Sequence, residues 1–373
     1  MKKKLVESKI SKTFEDLIKE IHEPGLCGEC GGCVSFCSAG EIGAIEMSKS
    51  GPPKYTNKDN CRECGICYYI CPQTRVLNDV LNIRFNFEPP IGHNIKVTAV
   101  QASSEKIRAE ATDGGAVTAI LSSLLKRKLI DGAIVSKKIG PLGRIPFFAT
   151  TEDELLEAAG SHYDISDHVV GLEKYTTFIP TNVKLKQTRP DLLNVAVVGT
   201  PCQIHSIRKM QVLGILPAHI VKYTLGLFCY FNFSFGEDGR KNLEEKYQFS
   251  FNDVVKINIK ENLILQLKDK KELHIDFNDL HGIVRPACFG CRDFANVYAD
   301  ISFGGLGSPD GYTTTIVRTE TGEEIYNKAL EEGYLTEPKD LNKTGKTAEM
   351  LDKVVKFGRQ KFERYKNTLD KIK

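Results

Sequence analysis

Eight cysteines gathered into two short runs constrain this chain more than any other feature. The first run reads Cys27-x2-Cys30-x2-Cys33-x3-Cys37, and the second repeats it as Cys61-x2-Cys64-x2-Cys67-x3-Cys71 followed by Pro72. That spacing suits a pair of [4Fe–4S] cubanes: three close thiolates wrap three corners of one cluster, and a helical turn carries the fourth to the other. Ligation is then crossed, with Cys27, Cys30, Cys33 and Cys71 on one cluster and Cys61, Cys64, Cys67 and Cys37 on the other. Gly28, Gly31, Gly32 and Gly65 leave room for backbone N–H groups to approach the sulfides and help set the potential. Zinc, the competing metal, is usually held by two separated CxxC pairs instead of four cysteines in one run. Cys37 is followed by Ser38 where Cys71 has a proline, which alters one turn and removes no ligand.

The chain's 373 residues are enough for more than one domain. Its 51 basic and 48 acidic residues nearly cancel, so net charge points to no polyanion partner such as nucleic acid. The N-terminus mixes both charges and lacks the apolar core of a signal peptide. The longest apolar stretch, from Ile215 to Phe235, is interrupted by His219, Lys222, Asn232 and Ser234, short of the roughly 18 clean apolar residues of a membrane span. A cytoplasmic location is expected, where thiols stay reduced and the 12 cysteines read as metal ligands instead of disulfides.

Four segments follow. Residues 1–80 read as a two-cluster ferredoxin-like domain with an N-terminal helix over 1–21, its apolar face formed by Leu5, Ile10, Phe14, Leu17, Ile18 and Ile21. Residues 81–95, with Pro89, Pro90 and Gly92, read as a linker. Residues 96–330 alternate β-rich runs (VTAVQA, DGAIVS, NVAVVG, IVKYTLGLF) with helical patterns such as GGAVTAILSSLLKRKLI, which predicts a mixed or parallel sheet covered by helices. Residues 331–373 read as a helical extension with a weak apolar stripe. The expected class is α+β: a small ferredoxin-like domain followed by a larger α/β domain with a mixed sheet.

Cys202, Cys229, Cys288 and Cys291 remain, the number a third cubane needs. An isolated cysteine such as Cys229 is commonly a small buried hydrophobe, and the Cys288-x2-Cys291 pair suits a cluster half-site, half a zinc site or a redox dithiol. Cys202 follows an apolar strand and a Gly199-Thr200-Pro201 turn, at the sheet edge where cofactors sit in α/β folds. Gly114-Gly115 opens a helix without a GxGxxG fingerprint, and His162 and His205 carry no catalytic signal.

In chain order GGAVTAIL, GSHYDIS, VVGTPCQIHSIRK, FCYFNFS, and CFGCRDFANVYADISFGGLG followed by GYTTTIVRT resemble the coenzyme F420 hydrogenase/dehydrogenase beta-subunit family, over residues 96–322. The resemblance implies a coenzyme F420-dependent oxidoreductase whose larger domain binds FAD and one [4Fe–4S] cluster and passes a hydride between F420 and the flavin. It makes Cys202, Cys229, Cys288 and Cys291 the third cluster's ligands. It places Thr112, Gly114, Gly115, Val117, Thr118, Gly160, Ser161, His162, Tyr163, Gly199 and Thr200 near FAD or its substrate, with His162 where the family often has a lysine. With a double-cluster N-terminus the chain looks like the F420H2-oxidising subunit of respiratory dehydrogenases, or the beta subunit of F420-linked formate dehydrogenase. That implies a place in methanogenesis and a partner redox subunit of hydrogenase, formate dehydrogenase, heterodisulfide reductase or respiratory-complex type, in solution or at a membrane. The parts are chemically coherent, since F420 moves two electrons as a hydride, a cubane accepts one, and a flavin joins the two. Hydride transfer requires no general acid or nucleophile, so no catalytic residue is named. Two other readings stay open: a flavin enzyme of this family with another substrate, and a non-catalytic electron-transfer module.

Overall fold

The computed structural model describes residues 12–39, 42–48, 51–139, 143–161, 193–215, 218–233, 237–339 and 346–372. Helix α1 (Phe14–Leu17) starts where the Thr13 N–H donates to Asp16 Oδ2 at 2.8 Å, and it continues as a π turn over Ile18–His22. The earlier part of the expected 1–21 helix, residues 1–11, lies outside the described residues. Helices α2 (Gly32–Ala39) and α3 (Ile66–Tyr69) carry parts of the two cysteine runs, and strands β1 (Ile45–Glu46) and β2 (Lys54–Tyr55) pair between the runs. Phe14, Leu17, Ile21, Leu26, Ile45 and Tyr68 give this cysteine-rich unit a core of its own. The expected linker is partly built into the fold: helix α4 (Asn78–Arg84) crosses its start because Leu81 is fully buried against Val297 and Tyr298.

Among the described residues, eight strands form the main sheet. In chain order they are β3 (Lys96–Ala102), β4 (Gly132–Ile139), β5 (Gly143–Ala149), β6 (Val195–Gly199), β7 (Val221–Leu227), β11 (Ile301–Gly304), β12 (Thr313–Val317) and β13 (Leu335–Thr336), arranged β13-β3-β12-β11-β7-β6-β4-β5. Strands β4, β6, β7 and β11 run parallel at the centre, and antiparallel neighbours close both edges. A separate antiparallel sheet comprises β8 (Val254–Ile259), β9 (Leu263–Leu267) and β10 (Glu272–Ile275).

Among the described residues, the helices that follow α4 are α5 (Glu105–Glu110), α6 (Ala116–Lys126), α7 (Glu152–Glu157), α8 (Pro201–Val212), α9 (Glu237–Tyr247), α10 (Pro286–Phe289), α11 (Glu320–Glu331) and α12 (Lys346–Ile372). Strand β6 explains the layering. Ala196 and Val198 point into one core with α6 and α11, whereas Val195 and Val197 point into the other with Ile204, Ile207 and Met210 of α8. A central strand covered on both faces reads as an unbroken apolar run. Ile70 of the cysteine-rich unit belongs to the α8-side core, so that unit is seated on this face. The buried Arg208–Asp300 ion pair at 2.9 Å, with Asp300 also accepting from the Thr224 N–H and hydroxyl, ties α8 to the sheet.

Candidate redox-cofactor site

Parallel strands bring their carboxyl ends to one edge, where ligands of open α/β sheets bind. A cleft opens there, floored by Val135 of β4, Val198 of β6, Leu227 of β7 and Phe303 of β11, and enclosing about 1420 Å³ including its solvent-open mouth. The first turn of α6 and the 111–113 loop form one wall, which Asn258 of β8 and Lys260 just beyond it extend. Gly115 reaches φ +76° to turn the chain into α6, and no side chain caps that helix start, so its first N–H groups are available to an anionic or polar ligand.

Thr112, Gly115, Val117, Thr118, Gly160, Ser161, Gly199 and Thr200 all line this cleft. The Ser161 N–H donates to Thr112 Oγ1 at 2.8 Å, which fixes two distant loop segments side by side. Gly114 sits beneath the wall: its N–H donates to Thr313 Oγ1 at 3.0 Å, and an added Cβ would lie 2.5 Å from the Val100 carbonyl oxygen. His162 and Tyr163 lie outside the described residues. The cleft also contains the buried Arg144 and the half-buried Asp113, which no motif announced. Burial pushes the Asp113 carboxyl above its usual range against the pull of a 2.9 Å hydrogen bond from Asn258 Nδ2. Asn258 and Lys260 are spaced by two along the chain from β8, the only sequence signal that they share a face.

The twelve thiols fall into three neighbourhoods. The Cys33 thiol is raised by burial and then by Cys27, Cys30, Cys67 and Cys71, and Cys27 is pushed up to about 12 by burial with Cys71 beside it. Cys67 is likewise pushed up to about 12, by burial and then by Cys64, Cys61 and Cys37. Cys229 reaches about 12 through burial, with Cys288, Cys291 and Cys202 around it. Buried thiols so unwilling to ionise alone are suited to a cationic partner that takes the thiolate. Among the described residues no three Cys, His, Asp or Glu side chains are gathered as a site for a single metal ion. One tetrahedral ion draws its sulfurs to within about 4 Å of each other, whereas a cubane, with iron at each corner, asks them to stand wider. The donor set is all cysteine, and N–H groups already point at it from Glu29 to Cys27, Ala44 to Cys37 and Asn232 to Cys288, at 3.3–3.4 Å. An all-thiol donor set with N–H groups aimed at it has the chemistry of an iron–sulfur site.

The neighbourhoods are serially connected. Cys33 senses Cys67, Cys30 senses Cys202, and Cys229 lies in the cleft wall itself. Buried Lys209 of α8 donates to the Cys71 and Thr74 carbonyls at 2.6 and 2.9 Å, and Arg285 pairs with Glu29 at 2.8 Å while donating to the Gly28 carbonyl. His205 is buried, bonded through Nε2 to Asn78 Oδ1 at 3.0 Å, and held below its usual pKa by burial, the condition of a structural imidazole.

Residues 97–173 and 192–342 match models described as the N-terminal and C-terminal parts of the coenzyme F420 hydrogenase/dehydrogenase beta subunit. The chain is 31% identical over 337 residues to the coenzyme F420-dependent sulfite reductase of Methanocaldococcus jannaschii, covering 86% of this chain but spanning only 48% of that relative. The coenzyme F420 hydrogenase beta subunit of Methanococcus voltae is 34% identical, with 74% of this chain and 94% of the relative covered. A chain of the F420-reducing [NiFe] hydrogenase complex from Methanosarcina barkeri superposes with a TM-score of 0.65 at 28% identity, covering 76% of this chain and 94% of that one.

Proposed function

Because the chain belongs to the coenzyme F420 hydrogenase/dehydrogenase beta-subunit family, we propose that it is a coenzyme F420-dependent oxidoreductase subunit. It exchanges a hydride between F420 and an FAD in the cleft, and passes electrons singly through three [4Fe–4S] clusters to or from a partner redox protein. The carrying observation is that Cys229 lines the cleft while sharing a neighbourhood with Cys202, which in turn neighbours Cys30 of the cysteine-rich unit. Flavin supplies the exchange between a hydride and single electrons, and each cubane supplies a one-electron site.

The chain's own residues hold and shield these groups. The α6 start would offer N–H groups to a phosphate or ring edge, with Thr112 fixing the Ser161 backbone opposite. The crossed sets Cys27, Cys30, Cys33, Cys71 and Cys61, Cys64, Cys67, Cys37 would hold the two outer clusters, and Cys202, Cys229, Cys288, Cys291 the inner one. In this reading residues 1–80 form the ferredoxin-like domain, 81–95 the connection, 96–330 the flavin domain and 331–373 the C-terminal extension. The partner is a redox subunit of the hydrogenase or formate dehydrogenase kind. No helix among the described residues is long and apolar enough to cross a membrane.

Anaerobic purification with iron, sulfide and flavin quantified per chain, followed by F420H2-dependent dye reduction, tests the proposal. About twelve irons, one FAD and activity support it, whereas about eight irons without flavin reduce the chain to a two-cluster module. Full cofactor loading without F420H2 oxidation would assign the cleft another substrate.

A further inference from the structure

We propose that α12 is an electrostatic strap: Lys361 and Arg364 hold fixed positive charge against the cluster bound by Cys202, Cys229, Cys288 and Cys291, and raise its reduction potential. This rests on the reading of those four cysteines as cluster ligands given above.

The inward stripe of α12 advances by four and three residues through Met350, Val354 and Phe357, which are 1%, 0% and 9% exposed. Its next position is Lys361, at 1%, and the one after is Arg364. Apolar chemistry therefore gives way to cationic chemistry where the helix crosses the inner cysteine set. Gly358 lets the helix lie close against the 90–91 segment before it reaches the cysteines, since a Cβ there would lie 2.9 Å from Ile91 Cγ2. Lys361 Nζ donates to the Cys229 carbonyl. Arg364 Nη2 donates to the Tyr230 and Cys288 carbonyls at 3.1 and 3.4 Å, with its guanidinium 4.1 Å from the Phe231 ring centroid and 4.6 Å from that of Tyr230.

Stability alone gives no reason for this choice, because apolar residues of similar volume usually replace buried charges without loss. A buried ammonium calls for an anion. The Lys361 ammonium is buried and bonded to the Cys229 carbonyl, at the edge of the inner thiol set. The nearby Asp293 carboxyl accepts from the Asn296 and Val297 N–H groups at 2.8 and 3.1 Å. A cubane with four thiolates is anionic and becomes more so on reduction. Reduction adds one electron, donated by F420H2 through the flavin side or by the partner redox protein, and transfers no atom. A fixed buried cation favours the more negative state, and net charge with hydrogen bonding is how proteins set cluster potentials. Residues beyond 342 lie outside the matched family model.

The test is an EPR-monitored redox titration of the anaerobic full-length protein, with the inner cluster's signal identified as the one lost in Cys229→Ser. Lys361→Met and Arg364→Met should each move that midpoint to more negative potential while leaving the outer two in place. Lys361→Arg should retain the wild-type midpoint, and so should Lys353→Met on the same helix, which removes an exposed ion pair with Glu261 of the β8–β9 turn. An unmoved midpoint in fully loaded Lys361→Met overturns the strap. If that variant fails to load the cluster, the more exposed Arg364→Met decides by the same criterion. Wild-type protein with only about eight irons, or no signal lost in Cys229→Ser, overturns the underlying ligand reading and the strap with it.

Discussion

Cys229 belongs both to the cleft wall and to the inner thiol set. Replacing it with serine should lower iron from about twelve to about eight per chain, leave the flavin bound, and abolish electron delivery to a protein acceptor. Parallel iron and flavin assays check this, and simultaneous flavin loss would mean that the cluster also braces the cleft. Lys209 illustrates a different residue-scale effect. Lys209→Met strips the Cys71 and Thr74 carbonyls of their buried donor, which should cost about 1–3 kcal/mol and lower the thermal midpoint of the holoprotein. The cysteine runs were legible because their ligands are spaced locally, by two and three residues. Lys209, Arg144 and Lys361 were not, because what gives each its meaning arrives from a distant segment. A lone cation in a sequence looks alike whether it faces water or a carbonyl far along the chain.

At the scale of elements, the strands were the readable part. Strand β6, and β4 over residues 132–135, are apolar runs because helices or the cysteine-rich unit cover both their faces, and a run of that kind needs no partner to be recognised. Sheet order was not readable, nor was the edge position of β13, two residues long and placed by pairing with β3. The α12 stripe looked weak in sequence because two of its inward positions are Lys361 and Arg364, which a hydrophobic pattern counts as outward. The β13 edge carries its own prediction through Glu337, which accepts from Lys96 Nζ at 2.8 Å, Thr98 Oγ1 at 3.1 Å and Tyr326 Oη. Burial pushes this carboxyl up, but the hydrogen bonds from Lys96 and Tyr326 prevail and hold it below its ordinary 4.5. A depressed carboxyl stabilises the fold fully above its unfolded value, and that contribution disappears as pH falls through the folded one. Hydrogen exchange of the 333–339 segment, corrected for intrinsic rates, should therefore be slower in wild type than in Glu337→Gln near neutrality. The two should converge in acid, and equal protection at neutral pH would show that the contact carries no stability.

Across the whole molecule the thiol sets form an ordered series, from the outer set, with Cys64 exposed, through the Cys27 set to the inner set beside the cleft. The order depends on how the cysteine-rich unit is docked, and Arg285 is the main electrostatic pin. Its side chain is 10% exposed, Glu29 is 17% exposed, and their ion pair joins segments more than 250 residues apart. Removing one partner of a buried pair is costly, about 3–5 kcal/mol, because it strands the other charge, whereas replacing both with apolar residues is often neutral. Arg285→Met should therefore loosen the unit and slow delivery to a protein acceptor that docks at the exposed outer set. Reduction of a small dye, which in the proposed arrangement reaches the inner cluster directly, should fall far less. Adding Glu29→Met to the same chain should recover much of the protein-linked rate, since no uncompensated carboxylate then remains at the seam. Comparing the two acceptors across the three proteins separates docking from chemistry. Loss of both rates together would place Arg285 in the support of the inner cluster, and a double variant no better than the single one would mean that the guanidinium's bond to the Gly28 carbonyl, not its charge on Glu29, holds the units in register.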